Sequence, residues 1–177
     1  MSKKVAEAPR YSLSVPLQEV DAKWTGSAKG WPLHVTFVPD FWLPGQLNEA
    51  GLASMCLIFT ESQKPFYVNF GEQQGNFGAK PVQEVVGPNR TKLLILHTSA
   101  LDELKRVGCE LVSSDWVGKQ YNPHTSVEKE VDPRLRIMVN SLMLVRKVDS
   151  GSETIKEIVG TWRLGKKGEQ AKILRNI

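Results

Sequence analysis

Hydrophobic and polar residues alternate in two stretches near the N-terminus of this 177-residue chain, which predicts two β-strands. The first stretch, "YSLSVPL", runs from Tyr11 to Leu17, and Pro16 within it predicts an edge strand, because proline cannot donate to a sheet ladder. In the second stretch, "WPLHVTFV", the apolar side chains share one face. His34 and Thr36 are therefore predicted to lie together on the opposite face.

The spacing of apolar residues changes to three and four in "PGQLNEAGLASMCLIFTES", which predicts a helix beginning near Leu47. The segments "KPFYVNFG" and "KPVQEVVG" then predict strands, joined by a turn in the glycine-rich "GEQQGNFGA". "TKLLILHT" predicts a third strand. Ser99, with Asp102 three residues later, resembles a capping box and predicts a short helix over "ALDELKRVG".

The last third of the chain is rich in β-forming residues. Strands are predicted in "YNPHTSVE", "RLRIMVNSLMLVRKV" and "ETIKEIVGTWRL", and the tight "DSGS" between the last two predicts a hairpin. The order of elements predicts an α+β fold of mainly antiparallel sheet with the helices outside. Strands and a helix occur twice in similar order, which indicates two similar lobes.

Length and composition indicate one globular domain spanning residues 1–177, with flexible tails at residues 1–9 and about 166–177. Apolar residues make up 41% of the chain and charged residues 24%, and no apolar run approaches the roughly 20 residues that span a membrane. The N-terminal "MSKKVAEAPR" lacks the apolar segment of a secretory signal. We therefore expect a cytoplasmic monomer.

Cysteine content and net charge limit the chemistry. Cys56 and Cys109 are the only cysteines, and together with three scattered histidines they form no zinc-ligand pattern, so no metal or cofactor is expected. The net charge of +4 is compatible with a polyanionic partner but does not require one. Much of the excess lies in the C-terminal "GKKGEQAKILRNI", which is typical of a solvated tail.

Each histidine in the chain is followed two residues later by a hydroxyl residue. The pairs are His34 with Thr36, His97 with Ser99, and His124 with Ser126. Composition alone gives any one histidine such a neighbour roughly one time in eight, so context must decide between them. His97 closes a predicted strand, and Ser99 there has a sufficient role as a helix N-cap. We therefore predict that His97 is a structural or surface residue.

The remaining two pairs suggest acid–base chemistry. One histidine can remove a proton from an attacking hydroxyl or water while the other protonates the leaving oxygen, because imidazole titrates near neutral pH. The hydroxyls of Thr36 and Ser126 point the same way as His34 and His124 and can donate to phosphate oxygens. Such a site would cleave a phosphodiester without a metal ion.

Two H-x-[ST] motifs on strands, at positions 34 and 124, resemble those of the 2H phosphoesterase superfamily, most nearly its 2′-5′ RNA ligase-like and cyclic phosphodiesterase branch. "YSLSVPL", "ALDELKRVG" and "IVGTWRL" resemble the opening strand, the helix before the second motif and the closing strand of that family. The resemblance implies two lobes around a central cleft, each donating one motif. It also implies metal-independent action on 2′,3′-cyclic phosphates, 2′-5′ linked oligonucleotides or cyclic nucleotides, with His124 as base and His34 as acid.

The leading hypothesis is therefore hydrolysis of a 2′,3′-cyclic phosphate or a 2′-5′ phosphodiester in a nucleotide or RNA end. One alternative is a phage or host-defence phosphodiesterase that degrades a cyclic or 2′-5′ oligonucleotide signal. Another is a non-catalytic RNA-binding module on the same fold. A substrate panel separates the first two, and turnover separates both from the third.

Five further residues are candidates for substrate binding. They are Tyr121, Phe41, Trp42, Lys129 and Arg134. The aromatic rings could stack on a nucleobase or pack in the core, and the two cations could hold a phosphate or lie in a solvated loop. The segment "VPDFWLPG" is more aromatic than a motif strand requires, and Ser126 stands where threonine is commoner in the family. Serine keeps the donor hydroxyl, so the catalytic expectation is unchanged. The aromatic segment bears on substrate choice, because it lies where a nucleobase could bind.

Overall fold

The computed structural model describes residues 8–21, 23–27, 30–77, 80–126, 131–150 and 152–166. Most of the two predicted tails lies outside these ranges. Two helices and ten strands are present in the described ranges, together with a 3₁₀ turn at Gly118–Gln120. In chain order they are β1 Arg10–Pro16, β2 Thr25–Gly26, β3 His34–Trp42, α1 Glu49–Glu61, β4 Phe66–Phe77, β5 Lys80–Val86, α2 Arg90–Arg106, β6 Glu110–Leu111, β7 His124–Ser126, β8 Ile137–Val139, β9 Ser141–Ser150 and β10 Glu153–Arg163.

The larger of two sheets has six strands in the order β2-β10-β9-β1-β3-β6, and each neighbouring pair is antiparallel. β9 and β10 form the predicted hairpin, with Ser150 opposite Glu153. β1 is a central strand, so the edge position predicted from Pro16 is wrong. Pro16 is the last residue of β1, where the missing N–H does not interrupt the ladder.

The smaller sheet has the strand order β7-β5-β4-β8, again antiparallel throughout. The glycine-rich segment that was predicted as a turn lies mostly inside β4, and that prediction is wrong over residues 71–77. The Glu84 side chain of β5 lies over Gly75, in the space that a Cβ there would take. The ladder between β4 and β5 is irregular between Phe70 and Gln74, just before this glycine.

α1 was predicted as a helix, whereas part of α2 was predicted as a strand. α1 begins at Glu49, two residues after the predicted start, with the side chain of Asn48 accepting a hydrogen bond from the Gly51 amide at 2.9 Å. The strand predicted over "TKLLILHT" is wrong: the segment lies inside the 17-residue helix α2, and Ser99 is mid-helix. Among the described residues, no helix is both long and apolar enough to cross a membrane.

The buried side chains of α2 explain why it is a helix. They recur at three- and four-residue intervals over two adjoining predicted elements: Leu93, Leu96, His97, Ala100, Leu101 and Leu104. A short apolar run such as "KLLIL" fits a strand or a helix equally well by periodicity alone. The helical spacing distinguishes a helix from a strand only when "TKLLILHT" and "ALDELKRVG" are considered as one segment.

One main core joins the two sheets and the two helices, and a smaller cluster of Trp31, Met143, Val145 and Ile158 lies apart from it. The fold is therefore α+β, with two lobes of antiparallel sheet and peripheral helices, as predicted. The chain crosses between lobes several times, since β9 and β10 return to the sheet that contains β1.

Candidate functional site

The two predicted motifs meet in one cleft. His34 is the first residue of β3 in the larger sheet, and His124 is the first residue of β7 at an edge of the smaller sheet. The two strands contact each other. Both histidines, with Thr36 and Ser126, line a cavity of about 320 Å³, which we call the central cavity. Each sheet thus contributes one histidine and one hydroxyl to the same space.

Backbone carbonyls fix both imidazole rings in the same way. His34 Nδ1 donates to the carbonyl of Pro32 at 2.8 Å, and His124 Nδ1 donates to the carbonyl of Asn122 at 2.7 Å. A carbonyl can only accept, so Nδ1 carries the proton in each ring. Nε2 is then the nitrogen of each histidine that can take up or release a proton.

The surroundings of His34 favour its neutral form. Burial lowers the pKa of His34 to about 4, and the nearby charges of Lys156, Lys147 and His124 act in the same direction. The hydrogen bond to Pro32 opposes them. The indole Nε1 of Trp31 donates to His34 Nε2 at 3.3 Å, which is a long bond. At neutral pH the Nε2 of His34 is therefore unprotonated, and its hydrogen bond to Trp31 is weak enough to be exchanged for one to water.

The Thr36 hydroxyl lies at the junction of two strands. Ser14 of β1 donates from Oγ to Thr36 Oγ1 at 3.4 Å, so Thr36 can donate its own proton elsewhere. Tyr121 fixes the same residue from the other side, by donating from its hydroxyl to the Thr36 carbonyl at 3.3 Å. Ser126 is exposed at the end of β7 and faces the central cavity.

A second cavity of about 400 Å³ adjoins the central one, and we call it the aromatic cavity. Thr36, Phe77 and His124 line both cavities. The Phe77 ring packs against the His124 imidazole with centroids 4.4 Å apart, and the Trp116 ring packs against Phe77 at 4.7 Å. Polar groups line much of the remaining wall: Asp40, Ser113, Asp115, Asn122 and Lys147.

Asp40 and Lys147, which line the aromatic cavity, form an ion pair with each other. Lys147 donates to the Asp40 carboxylate, and Arg10 lies 3.5 Å from the same carboxylate while it also pairs with Asp149 at 2.6 Å. Over the residues that the structure covers, no group of three or more His, Cys, Asp or Glu side chains is arranged to hold a metal ion.

Sequence reasoning missed Phe77 and Trp116. Phe77 lies in the segment that was predicted as a turn, and Trp116 lies in a loop to which no role was given. Trp116 has φ of 61°, a left-handed conformation that is costly for a large residue, and 44% of its surface is exposed. The only available signal was a tryptophan among polar residues in "SSDWVG", and it is a weak one, because single exposed apolar side chains are common on protein surfaces.

His97 has the structural role that its context predicted, although it lies in a helix and not at a strand end. It is buried, its Nδ1 donates to the Phe37 carbonyl of β3, and its Nε2 accepts from the Gly118 amide at 2.8 Å. Its ring stacks on Tyr121 with centroids 4.0 Å apart. His97 thus connects β3 and the Trp116 loop to α2.

The five candidate substrate-binding residues are scattered. Tyr121 lines the aromatic cavity but is largely buried. Phe41 is fully buried and packs near Tyr11 in the core, so the stacking role considered for it is wrong. Trp42 lines a separate cavity, Arg134 is exposed and paired with Asp132, and Lys129 lies outside the described residues.

The two-sheet architecture with an intervening cleft is the fold of phosphoesterases of known structure. A phosphoesterase crystal structure is 16% identical over 90% of this chain and 100% of its own, with a TM-score of 0.56. LigT of E. coli, solved with 3′-AMP, gives the same identity, coverage and TM-score. TT0787 of Thermus thermophilus is 12% identical, with a TM-score of 0.55 over 89% of this chain and 99% of its own.

These likenesses are structural. No family model matches the sequence, and no curated protein matches it either. At identities of 12–16%, the comparison establishes the fold. The bilobal architecture that the resemblance to the 2H phosphoesterases implied is thereby confirmed.

Proposed function

We propose that this protein is a metal-independent phosphodiesterase that hydrolyses 2′,3′-cyclic phosphate or 2′-5′ phosphodiester bonds in nucleotides or RNA ends. The observation that carries the proposal is the placement of His34 and His124 in one cavity, one from each sheet, with matching Nδ1 hydrogen bonds. E. coli LigT, which has this fold, was solved with 3′-AMP and with NADP⁺, and this supports a nucleotide ligand.

In the proposed reaction His34 is the base and His124 the acid, the reverse of the order expected from the family resemblance. The neutral Nε2 of His34 takes a proton from water, and the water oxygen forms a bond to phosphorus. As the bond from phosphorus to the leaving oxygen breaks, protonated His124 gives that oxygen its Nε2 proton. Thr36 and Ser126 donate to the non-bridging oxygens, which carry the developing negative charge.

The pH profile distinguishes the two orders. Because burial and neighbouring cations lower the pKa of His34 to about 4, a His34 base stays unprotonated well below neutral pH. The acid limb of kcat/KM, which reports the free enzyme, is then expected near pH 4. Steady-state kinetics from about pH 3.5 to 8 at constant ionic strength test this. An acid limb far above pH 4 would contradict His34 as the base.

In the proposed complex, a nucleoside of the substrate binds in the aromatic cavity, on one side of the scissile phosphate. Trp116→Ala removes an exposed ring that packs at a tilt against Phe77, which in turn packs against His124. Base stacking on an aromatic ring contributes about 1–3 kcal/mol, so KM is expected to rise roughly 5- to 150-fold with kcat little changed. Trp42→Ala is the matched control, since Trp42 is 38% exposed but lines another cavity. If KM rises for Trp42→Ala and not for Trp116→Ala, the nucleobase binds in the cavity that Trp42 lines.

A substrate panel tests the proposal as a whole. Wild-type protein and the His34→Ala, His124→Ala double variant are assayed in EDTA against 2′,3′-cyclic nucleotides, 2′-5′ oligoadenylate and cyclic oligonucleotides, with products separated by chromatography. The wild type is expected to cleave at least one class and the double variant none. Loss of all activity in EDTA refutes the metal-independent mechanism. Absence of cleavage by the intact protein, with binding that survives in the double variant, indicates a nucleotide-binding module.

A further inference from the structure

Lys156 is a partly buried cation with no carboxylate partner in the part of the chain that the structure describes. It lies on β10 opposite Lys147 of β9. Asp40, the carboxylate that favours the charged form of Lys156, is already paired with Lys147 and Arg10. A cation removed from water without an anion costs free energy, so this position favours an anionic ligand.

Lys156 lines the central cavity, in which the two histidines and the two hydroxyls of the motifs also lie. Lys80 adds a second positive charge to this cavity from an exposed position of β5, and none of the described residues that line it is acidic. The aromatic cavity instead has Asp40 and Asp115 in its wall. The charges of the cleft therefore attract a phosphate to the side where the motif side chains are.

Trp31 connects Lys156 to His34. The Nζ of Lys156 is 5.0 Å from the ring centroid of Trp31, within the range of a cation–π contact. The Trp31 indole in turn lies edge-on to the His34 imidazole, with centroids 5.8 Å apart, and its Nε1 donates to His34 Nε2. Among the charged groups that lower the pKa of His34, Lys156 has the largest effect. The ammonium group is therefore close to the position of a phosphate that contacts His34.

The four motif side chains supply little lasting positive charge. His34 is neutral at neutral pH, because its pKa is about 4, and the hydroxyls of Thr36 and Ser126 are neutral donors. His124 gives its proton to the leaving oxygen in the proposed reaction. Negative charge meanwhile grows on the non-bridging oxygens of the phosphate. A fixed ammonium group stabilises this charge throughout the reaction.

We propose that Lys156 binds a non-bridging oxygen of the scissile phosphate. This inference rests on the proposed function and adds to its site a catalytic residue that lies in neither motif. Lysine suits this position, because its compact charge forms strong hydrogen bonds with phosphate oxygens.

The test compares the affinities for 3′-AMP and for adenosine, which differ by one phosphate. Both are measured by calorimetry at about pH 7 and constant ionic strength. Lys156→Met removes the charge and keeps most of the stem that lies against Trp31. It is expected to weaken 3′-AMP binding by roughly tenfold or more, the usual range for a hydrogen bond to a charged group, and to leave the affinity for adenosine unchanged. For a substrate that the wild type cleaves, kcat/KM should fall by at least a similar factor.

Three further variants keep the result specific. Lys156→Arg keeps a positive charge and is expected to recover part of the affinity for 3′-AMP. Lys105→Met removes an equal charge from the exposed end of α2 and should change neither affinity. Lys156→Gln repeats the comparison with a polar side chain and takes the place of Lys156→Met if that variant does not fold. Equal losses of affinity for 3′-AMP and adenosine would show that Lys156 maintains the shape of the cavity, which overturns the inference.

An indirect role of Lys156 through His34 gives a different result. Loss of a cation that lowers the pKa of His34 raises that pKa, so the acid limb of kcat/KM moves upward from about pH 4. If Lys156→Met shows this movement and binds 3′-AMP as tightly as the wild type does, Lys156 acts on His34 alone and the inference is wrong.

Binding and turnover separate this inference from the proposed function. Binding of 3′-AMP that depends on the Lys156 charge, with no cleavage of any substrate in the panel, refutes the proposed function and supports the phosphate contact. Cleavage of a panel substrate, with equal 3′-AMP affinity and equal kcat/KM in the wild type and Lys156→Met, supports the function and overturns the inference. Failure of the wild type to bind 3′-AMP also overturns it.

Discussion

Replacing His124 with alanine is expected to lower kcat for phosphodiester hydrolysis by about 10²- to 10⁴-fold, the usual contribution of a positioned acid or base. His124 is partly exposed on a three-residue edge strand, where it contacts the Asn122 carbonyl and the Phe77 ring. The free energy of unfolding should therefore change little. Rate and urea-unfolding measurements on one preparation separate the two effects.

Added imidazole provides the sharpest check on His124. The alanine side chain leaves space beside Phe77, and a free imidazole in that space can protonate the leaving oxygen. Rate recovery that rises with the concentration of imidazolium is expected for His124→Ala and not for the wild type. His34→Ala should lose activity to a similar extent. Near wild-type turnover in either variant, on a substrate that the wild type cleaves, would contradict the assignment of both histidines.

The sequence predicted the histidine pair because strand alternation is a local property. Each strand that carries a motif places the histidine and its hydroxyl two residues apart, hence on one face. Phe41 is buried as well, but the β1–β3 ladder is irregular on both sides of Val38, so alternation does not extend from Phe37 to Phe41. Trp42, one residue on, points to the other face and is exposed.

The aromatic wall was not predictable in this way, because it depends on contacts between distant segments. Phe77 reaches His124 only because β7 pairs with β5, which in turn pairs with β4. Trp116 reaches Phe77 from a loop nearly 40 residues away in sequence. Burial is the main cause of the lowered pKa of His34, and the further contributions of Lys156 and Lys147 come from the distant C-terminal hairpin. The spacing of apolar residues within a single strand or helix does not predict these contacts between distant segments.

The largest effect on stability is expected for His97→Ala, with a loss of about 3–5 kcal/mol in the free energy of unfolding. The change leaves the Phe37 carbonyl and the Gly118 amide without their partner, and it opens a cavity beside Tyr121. Each unsatisfied buried group costs about 1–3 kcal/mol.

Urea unfolding of His97→Ala is best compared with that of Thr98→Ala, the next residue of α2. Thr98 is exposed, and its hydroxyl donates to the Leu94 carbonyl within the helix, so its loss should cost less than about 1 kcal/mol. Because His97 holds β3 and the Trp116 loop together, partial loss of its bonds is also expected to raise KM before it lowers kcat. Equal stability of the two variants would show that the buried bonds of His97 contribute little to the fold.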